Sequence, residues 1–190
     1  MANANFKTPV PQNEPIRNYA PGSPEKKALK AKLDELSNNM IDIPIIIGGK
    51  EIRTGDTDKC VMPHNHQHQL ATYHKVSEKE VNAAIDSNME AHKAWSRMDF
   101  SERAAIFLKA ADLLANTEWR YTINAATMLG QSKNPFQAEI DSACELVDFF
   151  RFNVHYANQI YSEQPMYSPV GQWNRLEYRS LEGFIFAVAP

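Results

Sequence analysis

The last seven residues, Phe184-Ile185-Phe186-Ala187-Val188-Ala189-Pro190, are apolar at every position. This run constrains the fold more than any other part of the chain. A segment without polar alternation suits a strand covered on both faces, as in a parallel sheet flanked by helices. Such a strand needs neighbours of the same kind, and no earlier segment offers one. The pattern reads as a βα unit cut at its first joint, so the 190-residue chain is expected to be a fragment of a larger α/β protein.

The segments before that run predict mostly helix. Residues 1–22 carry Pro9, Pro11, Pro15 and Pro21 among several Asn and read as an extended arm, docked or loose, because proline removes donors and blocks helix. Ser23-Pro24-Glu25 looks like a helix start, with a capping hydroxyl, a proline at the first helical position and an acid where the helix dipole favours it. Leu29, Leu33, Leu36 and Met40 follow at helical spacing. Ile43–Ile47, Gly48-Gly49 and Lys50–Arg53 predict a hairpin, and Gln69–Val76 a further strand. Ser77-Glu78-Lys79-Glu80 is a capping box, followed by an apolar face on Val81, Ala84, Ile85, Ala91 and Trp95. Ser101-Glu102-Arg103 opens the next helix, whose buried side is expected on Ile106, Leu108, Ala111, Leu113 and Leu114. A third helix runs from near Thr117 to Gly130, a natural C-terminal stop. The fourth is capped by Asn134-Pro135, with Ile140, Ala143, Cys144, Val147, Phe150 and Val154 in period. Pro165, Pro169 and Gly171 end it, and Gln172–Arg179 alternates like a half-exposed strand.

Composition narrows the partners. A net charge of −3 gives no cationic field for nucleic acid. No apolar run is long enough for a membrane span. Met1–Gln12 has neither an apolar core nor arginines, so no secretory or transit peptide is expected. Two cysteines, Cys60 and Cys144, make no disulfide framework, which points to a reducing compartment, by default the cytoplasm. Cys60 is placed in a connecting loop and Cys144 on the inner face of the long helix, where a thiol packs as a hydrophobe; neither is expected to be a nucleophile. His64, His66 and His68 alternate and would point one way if extended, yet no further Cys or His lies at a standard spacing, so no metal is expected. No G-x-G-x-x-G phosphate fingerprint occurs.

Several stretches resemble one family. Ile43–Glu51 looks like the opening hairpin of aldehyde dehydrogenases, and Arg103–Leu114 resembles their "RA-xx-L-x-K-AA-x-L" helix. Gly130-Gln131-Ser132-Lys133, Gln137–Asp141 and Glu145–Asn153 together resemble the pyrroline-5-carboxylate dehydrogenase branch, as does Leu181-Glu182-Gly183-Phe184. The similarity runs from about Tyr19 onward.

That resemblance implies an α/β fold, of which this chain is the N-terminal part: helices, short β-hairpins and the first strand of a Rossmann-like sheet. It divides the chain into an extended arm (1–22), a helical and early-strand part of the NAD-binding domain (23–163), an oligomerisation flap arm (164–182) and the truncated first strand of the dinucleotide sheet (183–190). It implies NAD-dependent oxidation of L-glutamate γ-semialdehyde to L-glutamate in proline degradation by a homo-oligomer, with the catalytic Cys and Glu lying outside this chain and the 190-residue piece inactive alone. Glu145 matches a position resembling a substrate contact, a carboxylate facing the substrate ammonium. At helical spacing Asp141, Glu145, Asp148, Phe149 and Phe152 share one side, so such a carboxylate would have aromatic neighbours. The alternative is a solvated carboxylate paired with Arg151 or Lys133. Val188, Ala189 and Pro190 match the strand end that runs beneath the NAD ribose and pyrophosphate. A different class of function also stands, a non-catalytic helical oligomerisation module.

Overall fold

A computed structural model describes residues 7–189. Its element order is α1 (Pro24–Asn38), β1 (Ile41–Ile43), β2 (Ile45–Ile47), β3 (Lys50–Ile52), β4 (Thr57–Met62), β5 (Asn65–His74), α2 (Glu78–Trp95), α3 (Phe100–Asn116), α4 (Trp119–Gln131), α5 (Pro135–Ala138), a π-helical turn (Glu139–Cys144) and α6 (Glu145–Ser162).

Local sequence explains most of these boundaries. The Ser23 hydroxyl accepts from the Lys26 amide at the head of α1. Ser77 and Glu80 form the reciprocal capping box at the head of α2, and Asn134 with Gln137 forms another ahead of α5. β2 and β3 pair antiparallel across Gly48-Gly49, both at positive φ (57° and 76°), the two-residue turn whose twist matches a hairpin. Pro44 has no N–H to give a ladder, and on either side of it the chain changes sheets. β1 pairs parallel to β5, β5 pairs antiparallel with β4, and β2 belongs to the hairpin. Arg53 Nε donates to Asp42 on β1 at 2.7 Å, tying the end of the hairpin to the sheet.

The helices supply the core. Tyr19, Leu29 and Ala125 pack with Leu33, Leu36, Tyr121 and Met128, joining α1 to α4. Ala111, Ala115 and Val147 pack with Leu114 and Phe150, joining α3 to α6. Alanines at these contacts let the helices approach closely, since interaxial distance follows side-chain size.

Five expectations are corrected. Cys60 lies on β4, not in a loop, and the strand read as Gln69–Val76 begins at Asn65 and ends at His74. α4 stops at Ser132, which takes the left-handed conformation (φ 59°), while Gly130 stays within the helix. The buried side of α3 is Ala104, Ala111 and Ala115; Ile106 and Leu113 are exposed. The long fourth helix is a rod interrupted by the π turn.

Beyond Ser162 the described residues form neither helix nor strand. Gln172–Arg179 alternates in sequence but has no ladder partner. Instead the Gln164 side-chain amide bonds both main-chain groups of Leu176, accepting from its N–H at 2.9 Å and donating to its carbonyl at 3.2 Å. Tyr178 stacks edge-on against Tyr161, and His92 meets the Leu181 carbonyl at 2.8 Å. Phe184–Ala189 is exposed and carries no ladder, because the described residues offer it no neighbouring strand. No helix among the described residues is long and apolar enough to cross a membrane.

Candidate functional site

The first half of the site is built around a buried charge. Arg120, Asn124 and Glu139 are fully buried. A carboxylate there is tolerated only when its lone pairs are filled. Glu139 accepts from Arg120 through Nε (3.2 and 3.3 Å) and Nη2, from Asn124 Nδ2 (2.8 Å), from the Tyr19 hydroxyl (2.6 Å) and from the Arg17 main-chain N–H (2.9 Å). Burial alone would raise the Glu139 carboxyl. The hydrogen bonds from Arg120, Tyr19 and the Arg17 amide outweigh it and hold the group below the usual carboxylate value. Arg120 in turn reaches the Glu14 carboxylate and the Pro15 carbonyl (2.9 Å). The effect is to lash the arm, Asn13 through Tyr19, across the helices.

The same arm walls a cavity of about 290 Å³ lined by Asn13, Glu145, Asp148, Phe149 and Phe152. The first turns of α6 bring Glu145, Asp148, Phe149 and Phe152 to one side, as their spacing predicts. The carboxylates there behave differently. Asp148 is committed to the arm, accepting from Asn13 Nδ2 and the Glu14 amide, both at 2.7 Å. Glu145 is exposed and has no ion pair among the described residues. Both partners that would have made it a paired surface group are taken: Lys133 by Asp141 at 2.6 Å and Arg151 by Glu14 at 2.8 Å. Glu145 is thus left as an exposed carboxylate without an ion pair, lining the same cavity as Phe149 and Phe152.

The other candidate residues lie elsewhere. Val188 is 79% exposed, Ala189 is exposed, and neither lines the cavity; Pro190 falls outside the described residues. No glycine-rich turn or helix N-terminus accompanies Val188 and Ala189 in the described chain, so these residues alone do not make a dinucleotide cradle. Cys144 is buried beside Arg120 (3.6 Å) and Glu139 (3.8 Å). Burial, reinforced by the Glu139 charge, pushes its thiol up to about 11, the reverse of nucleophile activation. Cys60 is half-buried on β4. The histidines diverge: His64 bonds the Ser132 hydroxyl and His68 the Ser37 carbonyl, each at 2.8 Å.

Sequence reasoning missed Asn13, Arg120 and Asn124. The available signal was a fully charged residue, Arg120, in a helix whose companions Ala125 and Leu129 are core, and an acid, Glu139, directly after the core residue Ala138.

Residues 52–190 match the model of the aldehyde dehydrogenase family. The chain belongs to that family. It is 50% identical over 188 residues to the Delta-1-pyrroline-5-carboxylate dehydrogenase of Agaricus bisporus, covering 98% of this chain and 34% of that protein. It is 48% identical over 190 residues to the mitochondrial enzyme of that name from Dictyostelium discoideum, again covering 34% of that protein. Among solved structures, the Delta-pyrroline-5-carboxylate dehydrogenase of Mycobacterium tuberculosis, crystallised with NAD, superposes with a TM-score of 0.93 at 48% identity, over 96% of this chain and 34% of that one. The chain thus spans about a third of the length of the relatives it matches, and it corresponds to the N-terminal part of the aldehyde dehydrogenase fold.

Proposed function

We propose that the full-length protein carrying this sequence oxidises L-glutamate γ-semialdehyde, the open form of 1-pyrroline-5-carboxylate, to L-glutamate in proline degradation, with NAD as hydride acceptor. The observation that carries the reading is Glu145 in the arm-walled cavity, unpaired and sharing that cavity with Phe149 and Phe152. The substrate is a zwitterion, and stripping water from its ammonium without a counter-charge costs several kcal/mol. Glu145 supplies that charge, while the phenyl rings receive the methylene chain.

The remaining assignments rest on the relatives together with the placement of residues. Val188, Ala189 and Pro190 are assigned to the strand end beneath the NAD ribose and pyrophosphate. In support, strand ends are where open α/β sheets bind ligands, and a close relative is crystallised with NAD. Neither Cys60 nor Cys144 is assigned as nucleophile, and the 190-residue chain alone is proposed to be inactive. The high pKa of Cys144 supports this. Residues 1–22 are taken as the arm, 23–163 as part of the NAD-binding domain, 164–182 as a flap arm that joins a homo-oligomer and 183–190 as the first strand of the dinucleotide sheet. Exposed Met166, Tyr167 and Trp173 favour a partner chain over the flap. The cytoplasm is assigned on the two unpaired cysteines, although the Dictyostelium relative is named as mitochondrial.

Glu145→Gln in the full-length enzyme tests the substrate. Its kcat/KM for the semialdehyde should fall by about 10- to 100-fold, while that for the five-carbon ω-oxo acid lacking the amine stays within about twofold. Equal losses for both aldehydes would overturn the assignment.

A further inference from the structure

An ammonium has three N–H donors, and one carboxylate does not exhaust them. The cavity holds a second acceptor. Asn13 lines it, and the Asn13 Nδ2 donates to Asp148 at 2.7 Å. Because a carboxylate only accepts, the amide nitrogen must be the atom facing Asp148, which fixes the flip of the Asn13 side chain. Its oxygen, Oδ1, is thereby turned away from Asp148 and has no hydrogen-bond partner among the described residues. The second Asp148 oxygen accepts from the Glu14 amide at 2.7 Å, so Asp148 is occupied and offers the substrate little. Behind this contact the arm is held by Glu14 to Arg120 and Arg151 and by Arg17 and Tyr19 to Glu139, which makes Asn13 part of a fixed strap.

We infer that Asn13 is a specificity-determining residue of the substrate cavity, its side-chain oxygen accepting from the ammonium that Glu145 neutralises, and that Asp148 is a positioning residue that orients the Asn13 amide. The inference rests on the assignment of the Glu145 cavity as the substrate site and adds the arm to it. A neutral oxygen suits this place: a third carboxylate beside Glu145 and Asp148 would repel both, whereas an amide contributes a directed acceptor without charge. The arm then shares with Glu145 the discrimination of an amino aldehyde from a plain one.

The test uses the full-length enzyme, NAD reduction, and two aldehydes, L-glutamate γ-semialdehyde and the five-carbon ω-oxo acid without the amine. Asn13→Ala should lower kcat/KM for the amino aldehyde about tenfold and leave that for the amine-free aldehyde within about twofold. Asp148→Asn, whose amide offers the strap one acceptor instead of two, should show the same selectivity loss in smaller measure, expressed in KM rather than kcat. Asn13→Gln keeps the amide but displaces it by one methylene, and gives the same readout should the alanine variant lose its fold. If Glu145→Gln loses amine selectivity but the Asn13 variants keep it, the Asn13 assignment falls and the site stands. If Glu145→Gln itself keeps selectivity, the site falls. A parallel loss in all three positions supports the strap as part of the substrate site.

Discussion

Replacing Glu139 by glutamine is the most demanding test of how this fold holds together. The substitution keeps the volume and removes one charge. Glu139 accepts from Arg120, Asn124, Tyr19 and the Arg17 amide. A glutamine amide nitrogen in place of one oxygen would face donors, and Arg120, itself fully buried, would keep Glu14 and Pro15 but have one neutral oxygen where it had a carboxylate. Breaking a buried ion pair from one side costs about 3–5 kcal/mol. At about 2–4 °C per kcal/mol for a chain of this size, the midpoint should fall by roughly 6–20 °C. Hydrogen exchange adds a local readout: the Arg17 amide should lose protection before the α3–α6 core does, since the arm has lost its anchor. Removing both charges with Glu139→Gln and Arg120→Met should recover part of the loss, because an unpaired buried guanidinium is the costlier state. The pH dependence follows in sign. The Glu139 carboxyl is held below its unfolded value, so its contribution is present above the ordinary carboxylate range and is lost as pH falls through the depressed folded value. A glutamine variant whose midpoint stays within about 1 °C of the parent, with Arg17 still protected, would refute this account.

Other consequences are simpler to check. Thiol labelling at mildly alkaline pH should modify Cys60 first and leave Cys144 untouched until the protein unfolds, since Cys144 is buried with its thiol pushed up to about 11; mass-resolved labelling would show the order. In the β2–β3 turn, Gly49→Ala should cost about 1–2 kcal/mol from its left-handed backbone alone. Gly48→Ala should cost more, because a Cβ there would sit 3.0 Å from the Ser87 hydroxyl oxygen; thermal melts of the two variants rank them. Deleting Asp141, an exposed residue of the π turn, should let the rod close into continuous α-helix. Far-UV helicity would persist while Arg17 protection is lost, and retained protection would count against the π turn as what brings Glu139 to Arg120.

The helices were legible because their ends are written in short-range chemistry. Ser23, Ser77 and Asn134 cap them through contacts two or three residues away. The hairpin was equally local, set by two glycines. β4 escaped because Thr57–Asp58–Lys59 is exposed and polar, with its ladder made only by β5. The apolar run Phe184–Ala189 kept its hydrophobic pattern but not its ladder, since a ladder is a property of two strands. Glu145 was legible as a position on a helix face. Its isolation was not, because it depends on Glu14 occupying Arg151 from more than a hundred residues away. The arm contacts share this character throughout: Asn13 and Asp148, or Tyr19 and Glu139, meet only in three dimensions.

The π turn explains why the α period misplaced the residue on which the arm depends. Counting back from Ala143 and Cys144 at about 100° per residue, a straight α-helix would turn Phe136 and Ile140 toward the core and Ala138 away from it. In the structure Phe136 is 59% exposed, Ile140 is half-buried, and Ala138 and Glu139 are fully buried. Buried pairs five apart, Ala138 with Ala143 and Glu139 with Cys144, are the mark of the wider turn. The wider turn acts as a one-residue insertion, rotating the start of the rod until Glu139 meets Arg120 while Val147 keeps its place against α3. Without that rotation Glu139 would leave Arg120 buried and half-paired, and the strap carrying Asn13 would have no anchor. The local irregularity thus places Glu145, the first residue of α6, beside an arm secured by the residue six positions before it.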